Sequence, residues 1–314
     1  MTADIVNSTV EWKGEVLVTG TYDPQLNRNV LRVTNSYLEF DAWSRVTIAP
    51  DVWLIIEVGS TLWQDPGAVV VCQPGGECII EENATATLSS DITFIGQGSC
   101  IYNKGQITIP ANASISVEDE GLFVLDGGTL TLEDSVSLTF DADSDVFEIK
   151  PNSTIKLGKD AEIIIESKIE AVGKADSTIL ITSLYSTPSS TQYWKWIKVV
   201  GAGGGEYNFG EIEYATIEYS DYGVYASNVP NIQIKNNTIQ YQKMSGIYLY
   251  SSYADIEDNI ITNSDLLNGV YLNDSSPQFY NNTIKDHNGS GVYCFNYSSP
   301  SFGSTTTTTE GYNV

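Results

Sequence analysis

The apolar positions of this chain fall in short runs rather than in long periodic stretches. Short apolar or alternating segments recur, for example at residues 129–132 (TLTL), 137–140 (SLTF) and 161–165 (AEIII). Gly, Asn, Asp and Ser interrupt these runs every few residues, which is typical of strands joined by turns. No segment places apolar residues at i, i+3, i+4 and i+7 over three turns, as a surface helix requires. The pattern therefore predicts an all-β chain.

The C-terminal third of the chain is built from repeats. A Gly-(Val/Ile)-Tyr motif recurs at a nearly constant interval, beginning at Gly223, Gly246, Gly269 and Gly291. An Asn-x-Ile motif keeps the same period, beginning at Asn237, Asn259 and Asn282. Each repeat holds about three short strands, and none of them is long enough to bury an apolar face alone. Stacking equivalent strands about 4.8 Å apart would make parallel sheets around one continuous core.

The repeated motifs also predict specific side-chain roles. Asn tolerates the left-handed conformation, and its amide can bond to the Asn of the next coil, so we expect an inward-facing Asn ladder; the alternative is a surface turn. The tyrosines share one register, which predicts a structural ladder along one face. The glycine before each Val/Ile-Tyr pair is expected to admit a sharp bend between sheets.

Segments outside the clearest repeats carry a family resemblance. Residues 171–173 (AVG), 179–183 (ILITS), 194–197 (WKWI) and 212–220 (IEYATIEYS) follow one another in this order. This succession resembles right-handed parallel β-helix repeat proteins of the pectate-lyase-like superfamily, especially large bacterial and archaeal extracellular surface proteins. Ile181 stands where Phe is usual in these proteins, and Trp196 where Gly is usual. The resemblance implies a right-handed parallel β-helix with coils of about 22–23 residues, but it does not imply one function.

We expect two regions along the chain. Residues 1–20 form an N-terminal cap or entry segment, and residues 21–314 form a single β-helix domain whose repeats are clearest in 212–314. The sequence stops part-way through a further repeat, which favours a fragment of a longer protein or self-association end to end.

Charge restricts the classes of partner. The chain has 15 Lys and Arg against 40 Asp and Glu, a formal net charge of −25. Such a charge argues against nucleic-acid binding. The longest apolar runs are only a few residues long, so we expect no membrane insertion. The expected location is extracellular or at the cell surface, and the expected partners are polysaccharide or other surface proteins.

The sequence offers few candidates for metals or disulfides. Cys72 and Cys78 flank a short loop that a disulfide could close, and Cys100, about one coil later, offers a rival pairing. Cys294 follows a Gly-Val-Tyr motif and is expected to be buried. Asp141, Asp143 and Asp145 are candidate ligands for Ca²⁺, the alternative being a solvated turn. No other cofactor is expected.

Nine Asn-x-Ser/Thr sequons occur. Two of them, at Asn236 and Asn281, adjoin the predicted ladder and are interpreted as turn residues. The candidates for glycosylation are Asn7, Asn83, Asn112, Asn152, Asn273, Asn288 and Asn296. The alternative is that these residues only make turns.

The chain lacks the catalytic residue sets of related enzymes. Lyases of the resembling fold commonly use Ca²⁺ and an Arg or Lys base, yet no Arg occurs after Arg45. The only histidine, His287, is expected in a solvated polar loop. Tyr193, Trp194 and Trp196 are candidates for carbohydrate contact, because exposed aromatic rings stack on sugars. We therefore expect a non-catalytic extracellular scaffold, adhesion or filament-forming domain. The alternative is a Ca²⁺-assisted polysaccharide lyase or a glycoside hydrolase.

Overall fold

The computed structural model describes residues 4–96, 99–142, 146–201 and 209–303. These residues form 38 β-strands and no helix, so none of them belongs to a helix that could cross a membrane. The all-β prediction is confirmed. The chain divides into two compact units, Met1–Ile155 and Lys156–Val314. Whether residues 21–314 fold as one domain stays a prediction.

Most strands of the first unit are four residues long, just enough to place two side chains inward and two outward. In chain order they are β1 (Ile5–Val6), β2 (Thr9–Trp12), β3 (Glu15–Val18), β4 (Thr21–Asp23), β5 (Arg28–Thr34), β6 (Tyr37–Phe40), β7 (Arg45–Ile48), β8 (Val52–Ile56), β9 (Thr61–Gln64), β10 (Val69–Cys72), β11 (Glu77–Ile80), β12 (Thr85–Leu88), β13 (Ile92–Ile95), β14 (Ser99–Asn103), β15 (Gln106–Ile109), β16 (Ser114–Glu118), β17 (Leu122–Leu125), β18 (Thr129–Leu132), β19 (Ser137–Phe140) and β20 (Val146–Ile149). β21 (Thr154–Leu157) runs across the division between the units.

Each coil of the first unit adds one strand to each of three sheets. Sheet A contains β1, β5, β8, β11, β14, β17 and β20, sheet B contains β2, β6, β9, β12, β15 and β18, and sheet C contains β3, β7, β10, β13, β16 and β19. Neighbours along these orders pair in parallel; β4 is the exception, pairing antiparallel with β5. β1, β2 and β3 lie in the predicted entry segment and pair with the next coil as ordinary strands do. This pairing does not test a capping role for residues 1–20, which stays a prediction.

Turns in the first unit rely on residues that tolerate positive φ. Asp51, Asn83, Asn112 and Asn152 have φ between 54° and 65°, in the left-handed region where Asn and Asp are enriched. Several residue types serve this purpose, which explains why the sequence markers are irregular here. The coil length also varies, because the step between the paired residues Thr61 and Thr85 is longer than the step from Thr85 to its next partner, Gln106.

Phenylalanine rings fill part of the core of the first unit. Phe94, Phe123, Phe140 and Phe147 are fully buried, and Phe123 contacts the other three at centroid distances of 5.8–6.4 Å. The edge-to-face geometry of these contacts suits the ring quadrupoles.

The second unit repeats the same three-sheet plan. In chain order its strands are β22 (Glu162–Ile165), β23 (Lys168–Val172), β24 (Ile179–Ser183), β25 (Ile197–Val200), β26 (Phe209–Glu213), β27 (Ala215–Glu218), β28 (Tyr222–Ser227), β29 (Asn231–Lys235), β30 (Thr238–Gln240), β31 (Ser245–Tyr250), β32 (Ala254–Glu257), β33 (Ile260–Thr262), β34 (Val270–Asn273), β35 (Gln278–Tyr280), β36 (Thr283–Lys285), β37 (Val292–Phe295) and β38 (Ser301–Phe302).

Parallel pairing again orders the strands. Sheet A contains β23, β26, β29, β32, β35 and β38, sheet B contains β24, β27, β30, β33 and β36, and sheet C contains β22, β25, β28, β31, β34 and β37. Tyr248 pairs with Tyr271, and Tyr271 pairs with Tyr293, so the tyrosines of successive motifs are direct neighbours and the predicted period is confirmed in this unit. One coil is longer, since Ile163 pairs with Ile197 across a wider step in sequence.

The predicted Asn ladder is present at the turn from sheet A to sheet B. Nδ2 of Asn237 donates to Oδ1 of Asn259 (3.1 Å), and Nδ2 of Asn259 donates to Oδ1 of Asn282 (3.0 Å). All three side chains are buried. The left-handed conformation belongs to the residue before each of them, as at Asn236 and Asn281, with φ of 56° and 50°.

The glycines of the repeat have a different role from the one predicted. Gly223 and Gly246 lie within β28 and β31, and neither has positive φ. A Cβ on Gly223 would come within 2.6 Å of the carbonyl oxygen of Gly246, and one on Gly246 within 2.9 Å of that of Gly269. These positions require glycine because successive coils approach closely, and not because the chain bends.

Candidate functional surface

Two of the predicted sugar-contact residues are buried. The Trp194 side chain is 0% exposed, and its Nε1 donates to the backbone oxygen of Glu218 (3.0 Å). Tyr193 is 7% exposed. Trp194 forms an isolated parallel β-bridge with Ser220 of the next coil, shortly before β25 of sheet C begins. The prediction that Tyr193 and Trp194 contact carbohydrate is therefore wrong.

Trp196 instead begins a column of aromatic rings on the outer side of sheet C. Its ring lies 5.7 Å from that of Tyr225 and 6.1 Å from that of Tyr222. Tyr225, Tyr248, Tyr271 and Tyr293 follow in strict register, with centroids 4.6, 4.9 and 5.2 Å apart. The predicted Tyr ladder is confirmed, and Trp196 extends it by one ring.

This ladder presents ring edges rather than ring faces. The planes of Tyr225 and Tyr248 differ by 12°, and those of Tyr248 and Tyr271 by 5°, so each ring covers the face of its neighbour. A sugar ring needs a free aromatic face to stack on. Free aromatic surface is found instead in the next outward row, where Tyr250 is 41% and Phe295 is 45% exposed.

On its last four strands, the outer side of sheet C differs in charge from the rest of this acidic chain. On β28, β31, β34 and β37, which the structure describes in full, the outward ladder positions are tyrosines, and the next outward row carries Ser227, Tyr250, Asn273 and Phe295. These rows contain no carboxylate. Lys198 lies above the ladder, with Nζ 5.5 Å from the Tyr225 ring centroid. We call Trp196, Tyr225, Tyr248, Tyr250, Tyr271, Tyr293 and Phe295 the aromatic face.

Comparison with known proteins agrees with this architecture. A family model described as a right handed beta helix region matches residues 200–310. The fold is a parallel β-helix. This β-helix protein is also similar to the A-module of the mannuronan C-5 epimerase AlgE6 of Azotobacter vinelandii, at 12% identity and a TM-score of 0.44, over 88% of this chain and 91% of that one. No curated protein matches it.

A corner of the β-helix protein beside the aromatic face gathers titratable groups. Burial raises the pKa of the Asp221 carboxyl, although Lys243 opposes this shift with its Nζ 3.5 Å from Oδ1. Burial, reinforced by the Asp265 carboxylate, raises the pKa of Tyr193 to about 12. Sequence reasoning did not find this corner, because its members come from four different coils.

The same corner, where the chain turns from sheet B to sheet C, encloses one polar side chain in each successive coil. We call Ser220, Gln242, Ser264 and His287 the polar column. The first three are buried and His287 is half-buried. The prediction of a solvated loop histidine is therefore wrong. Sequence reasoning missed the column because its residue type changes from coil to coil, although the spacing was visible.

The metal and cysteine predictions have mixed outcomes. Asp141 is half-buried after β19, while Asp143 and Asp145 lie outside the described residues. Within the described ranges, no group of three His, Cys, Asp or Glu residues could hold a metal ion. Cys72 and Cys78 are buried on β10 and β11, and their pairing stays a prediction. Cys294 is exposed, contrary to prediction, although it shares a register with buried Leu272.

Most candidate glycosylation sites lie on exposed turns. Asn7, Asn83, Asn112, Asn152 and Asn296 are exposed or partly exposed and have φ between 50° and 65°, so each is suited to its turn whether or not it is modified. Asn288 is exposed as well, whereas Asn273 is half-buried and accepts a hydrogen bond from Nδ2 of Asn296. Glycosylation stays a prediction at all seven positions.

Proposed function

We propose that this chain is a non-catalytic, extracellular β-helix scaffold whose aromatic face makes adhesive or filament-forming contacts. The observation that carries the proposal is the rank of outward aromatic rings on strands that lack outward carboxylates. In a chain with a net charge of −25, such a face is where a partner can approach without strong repulsion. Contiguous exposed apolar surface is typical of interaction sites.

The regular coils suit a scaffold role. Asn237, Asn259 and Asn282 use their amides to bond one coil to the next, and Ser252 and Ser275 do the same at the turn from sheet C to sheet A. The Oγ of Ser275 accepts from the backbone N–H of Ser252 at 3.1 Å. Polar side chains in these ladders hold neighbouring coils together rather than surrounding a substrate.

The proposed partners are polysaccharide or other surface proteins, with Ca²⁺ as a candidate bridge to acidic surfaces. Sheet A supplies outward acids in one row, where Glu170 pairs with Glu211 and Gln233 with Asp255. Aromatic edges and Lys198 on sheet C would contact the partner, while these acids keep other faces solvated.

The test is a binding assay with matched surface variants. We expect Tyr250→Ser combined with Phe295→Ser to weaken retention on polysaccharide matrices or on cell surfaces at least tenfold. The control is Leu17→Ser, because Leu17 is an exposed apolar residue on sheet C of the first unit. Equal loss in both variants, or none in either, would contradict the aromatic face as the contact surface. Concentration-dependent fibres that the double variant abolishes would favour the filament role.

The alternative is a Ca²⁺-assisted polysaccharide lyase or a glycoside hydrolase. The observation in its favour is Asp221, a half-buried carboxyl of raised pKa beside Lys243 and next to the aromatic face. A carboxyl of raised pKa is suited to general acid catalysis.

One experiment separates the two functions. The protein is incubated with acidic and neutral polysaccharides, with and without Ca²⁺, and new chain ends are measured. The scaffold proposal predicts binding without new ends. Turnover that disappears in Asp221→Asn but persists in Asp91→Asn, an exposed acid of the first unit, would establish the enzyme instead.

A further inference from the structure

His287 is held through both of its ring nitrogens. Nδ1 accepts a hydrogen bond from the backbone N–H of Ser264 (3.2 Å), one coil earlier. Nε2 lies 3.1 Å from the backbone oxygen of Ile261, a partner that can only accept. The contacts therefore require a proton on Nε2 and none on Nδ1, which is one tautomer of the neutral imidazole.

Protonation would destroy this arrangement. An imidazolium carries a proton on Nδ1, which would point at the N–H of Ser264, so two donors would face each other. The ring cannot shift towards sheet C, since Nε2 lies against Gly269 and would be 2.6 Å from a Cβ at that position. Burial also favours the neutral ring and lowers the pKa of His287.

Few charged groups oppose the preference of His287 for the neutral form. On its own segment, Asp286 precedes the ring and favours the charged form, and Lys285 lies on β36. From the coil packed against it, Asp265 is the charged residue of the facing turn, and its backbone oxygen accepts from Nδ2 of Asn288. β33 contributes no charged residue to this corner.

Another coil meets the same requirement without a titratable group. Gln242 occupies the equivalent place in the polar column, and its Nε2 donates to the backbone oxygens of Ile217 (3.1 Å) and Gln240 (2.7 Å). An amide makes these bonds at any pH. The imidazole also keeps its Nε2 bond when protonated, but its Nδ1 accepts from the N–H of Ser264 only when the ring is neutral. The coil that carries His287 is thus distinguished from that of Gln242 by one titratable contact.

We propose that His287 makes the coil of β36 and β37 acid-sensitive: protonation of Nδ1 breaks its bond to Ser264 and frees the turn at residues 286–291 from the preceding turn. That turn is otherwise held by backbone bonds such as Asn288 N–H to Ser264 O (3.2 Å) and Gly289 N–H to Leu267 O. Opening it would uncover the polar column and the inner side of sheet C. The device would let this region respond to the pH of its surroundings.

The direction of the effect follows from proton linkage. The unfolded turn has a histidine of ordinary pKa, about 6.5, and the folded turn a lower one. The contact therefore stabilises the turn fully above about pH 6.5, and this stabilisation is lost as pH falls through the folded pKa. Each pKa unit of depression corresponds to about a tenfold change in the opening equilibrium at low pH.

Because His287 is the only histidine of the chain, its titration can be read directly. Proton NMR of the imidazole ring should give a pKa below about 6.5. Hydrogen-exchange protection factors for residues 286–291 should fall between pH 7.5 and pH 5, while those of the turn at residues 241–244 should stay constant. A pKa of 6.5 or higher, or equal protection at the two values of pH, would overturn the proposal.

Two variants test the cause. His287→Gln reproduces the group used by Gln242 and should keep the turn protected at both values of pH. Gln242→His should transfer acid sensitivity to residues 241–244, since Gly223 occupies there the register position that Gly269 occupies for His287. If His287→Gln still loses protection at pH 5, carboxyl titration at Asp265 or Asp286 is responsible and the proposal fails.

Discussion

The largest aromatic clusters of the two units lie on opposite sides of their sheets. In the first unit Phe123 packs edge to face against Phe94, Phe140 and Phe147 inside the coils. In the second unit the rings of Tyr225, Tyr248, Tyr271 and Tyr293 stack outside, while the inward positions beside them are aliphatic, such as Ile247 and Leu249. The same backbone plan can therefore build its main aromatic cluster in the core or on the surface.

The corners differ in a corresponding way. The first unit turns through residues of positive φ, such as Asn83 and Asn152, whose type can change between coils. The first unit has a short buried serine ladder, in which Ser36 N–H donates to Oγ of Ser60. The second unit has a buried asparagine ladder that requires the same residue in each coil, such as Asn237 above Asn259. Backbone conformation alone determines corners such as that of Asn83, whereas side-chain hydrogen bonds also determine the corner of Asn259.

The largest expected loss of stability follows from the removal of an inward-facing ring. Phe123→Ala deletes the ring that contacts three others in the core of the first unit, leaving a cavity in a closely packed region. We expect a loss of about 3–5 kcal/mol in the free energy of unfolding. Urea denaturation measures it, and Phe123→Leu is the control that should lose much less. A loss below about 1 kcal/mol would mean that the core of this unit is not close-packed.

Removal of one asparagine of the Asn ladder should cause the second largest loss of stability. Asn259→Ala leaves the buried backbone N–H of Asn237 without its acceptor. It also removes one donor from the backbone oxygen of Ile234 and one from Oδ1 of Asn282, which keeps its bond to the backbone N–H of residue 259. Each orphaned buried group costs about 1–3 kcal/mol. The comparison variant is Asn83→Gly at an exposed turn of positive φ, where we expect no loss. Equal losses in urea denaturation would show that the two kinds of corner do not differ.

Removing an outward-facing ring should lower stability less than removing an inward-facing one. Tyr248→Ala removes a ring with stacked neighbours at 4.6 and 4.9 Å, and such ring pairs contribute about 0.5–1.5 kcal/mol each. We therefore expect a smaller loss of stability than for Phe123→Ala, measured under the same conditions. A loss as large as that of Phe123→Ala would make the ladder a second core and would weaken its interpretation as a contact surface.

The smallest expected effect on stability comes from the Tyr193 hydroxyl and is confined to high pH. The Tyr193 hydroxyl has a pKa of about 12 in the folded protein, against 10 for an ordinary tyrosine. Above pH 10 the unfolded chain releases this proton first, so the contribution is complete below pH 10 and is lost as pH rises towards 12. Tyr193→Phe should reduce the slope of unfolding free energy against pH in this window. An unchanged slope in Tyr193→Phe would contradict this prediction.

The fold of the second unit could be predicted from the sequence because its strongest signals are periodic. Tyr248 and Tyr271 stack because they are one coil apart, and the same spacing places Asn237 against Asn259. Which residues become neighbours in adjacent coils depends on the number of residues per coil, and the spacing of the motifs in the sequence gives that number. The coils of the first unit were harder to place, since Asn, Asp and Gly serve equally well at positive φ and leave no constant marker.

The candidate site was only partly predictable, for a different physical reason. Tyr193, Trp194 and Trp196 lie in the lengthened coil between Ile163 and Ile197, so no neighbouring repeat indicated which of them faces outward. His287 was misplaced because a polar local sequence resembles a solvated loop, yet its ring bonds to Ser264 and Ile261 in a different coil. Contacts between coils determine burial here, and local sequence does not record them.

The glycines at the beginning of sheet C have a consequence for how such a chain can change length. Gly223 fits because the carbonyl of Gly246 lies directly against it, and Gly246 fits because that of Gly269 does. Duplication or loss of one whole period, such as the segment from Gly223 to the residue before Gly246, would again set glycine against glycine and Asn above Asn. A change that shifted these glycines out of register would bring a Cβ against a carbonyl oxygen. Unequal recombination between repeats is therefore the kind of genetic change that this packing tolerates, and whole coils are its unit of inheritance.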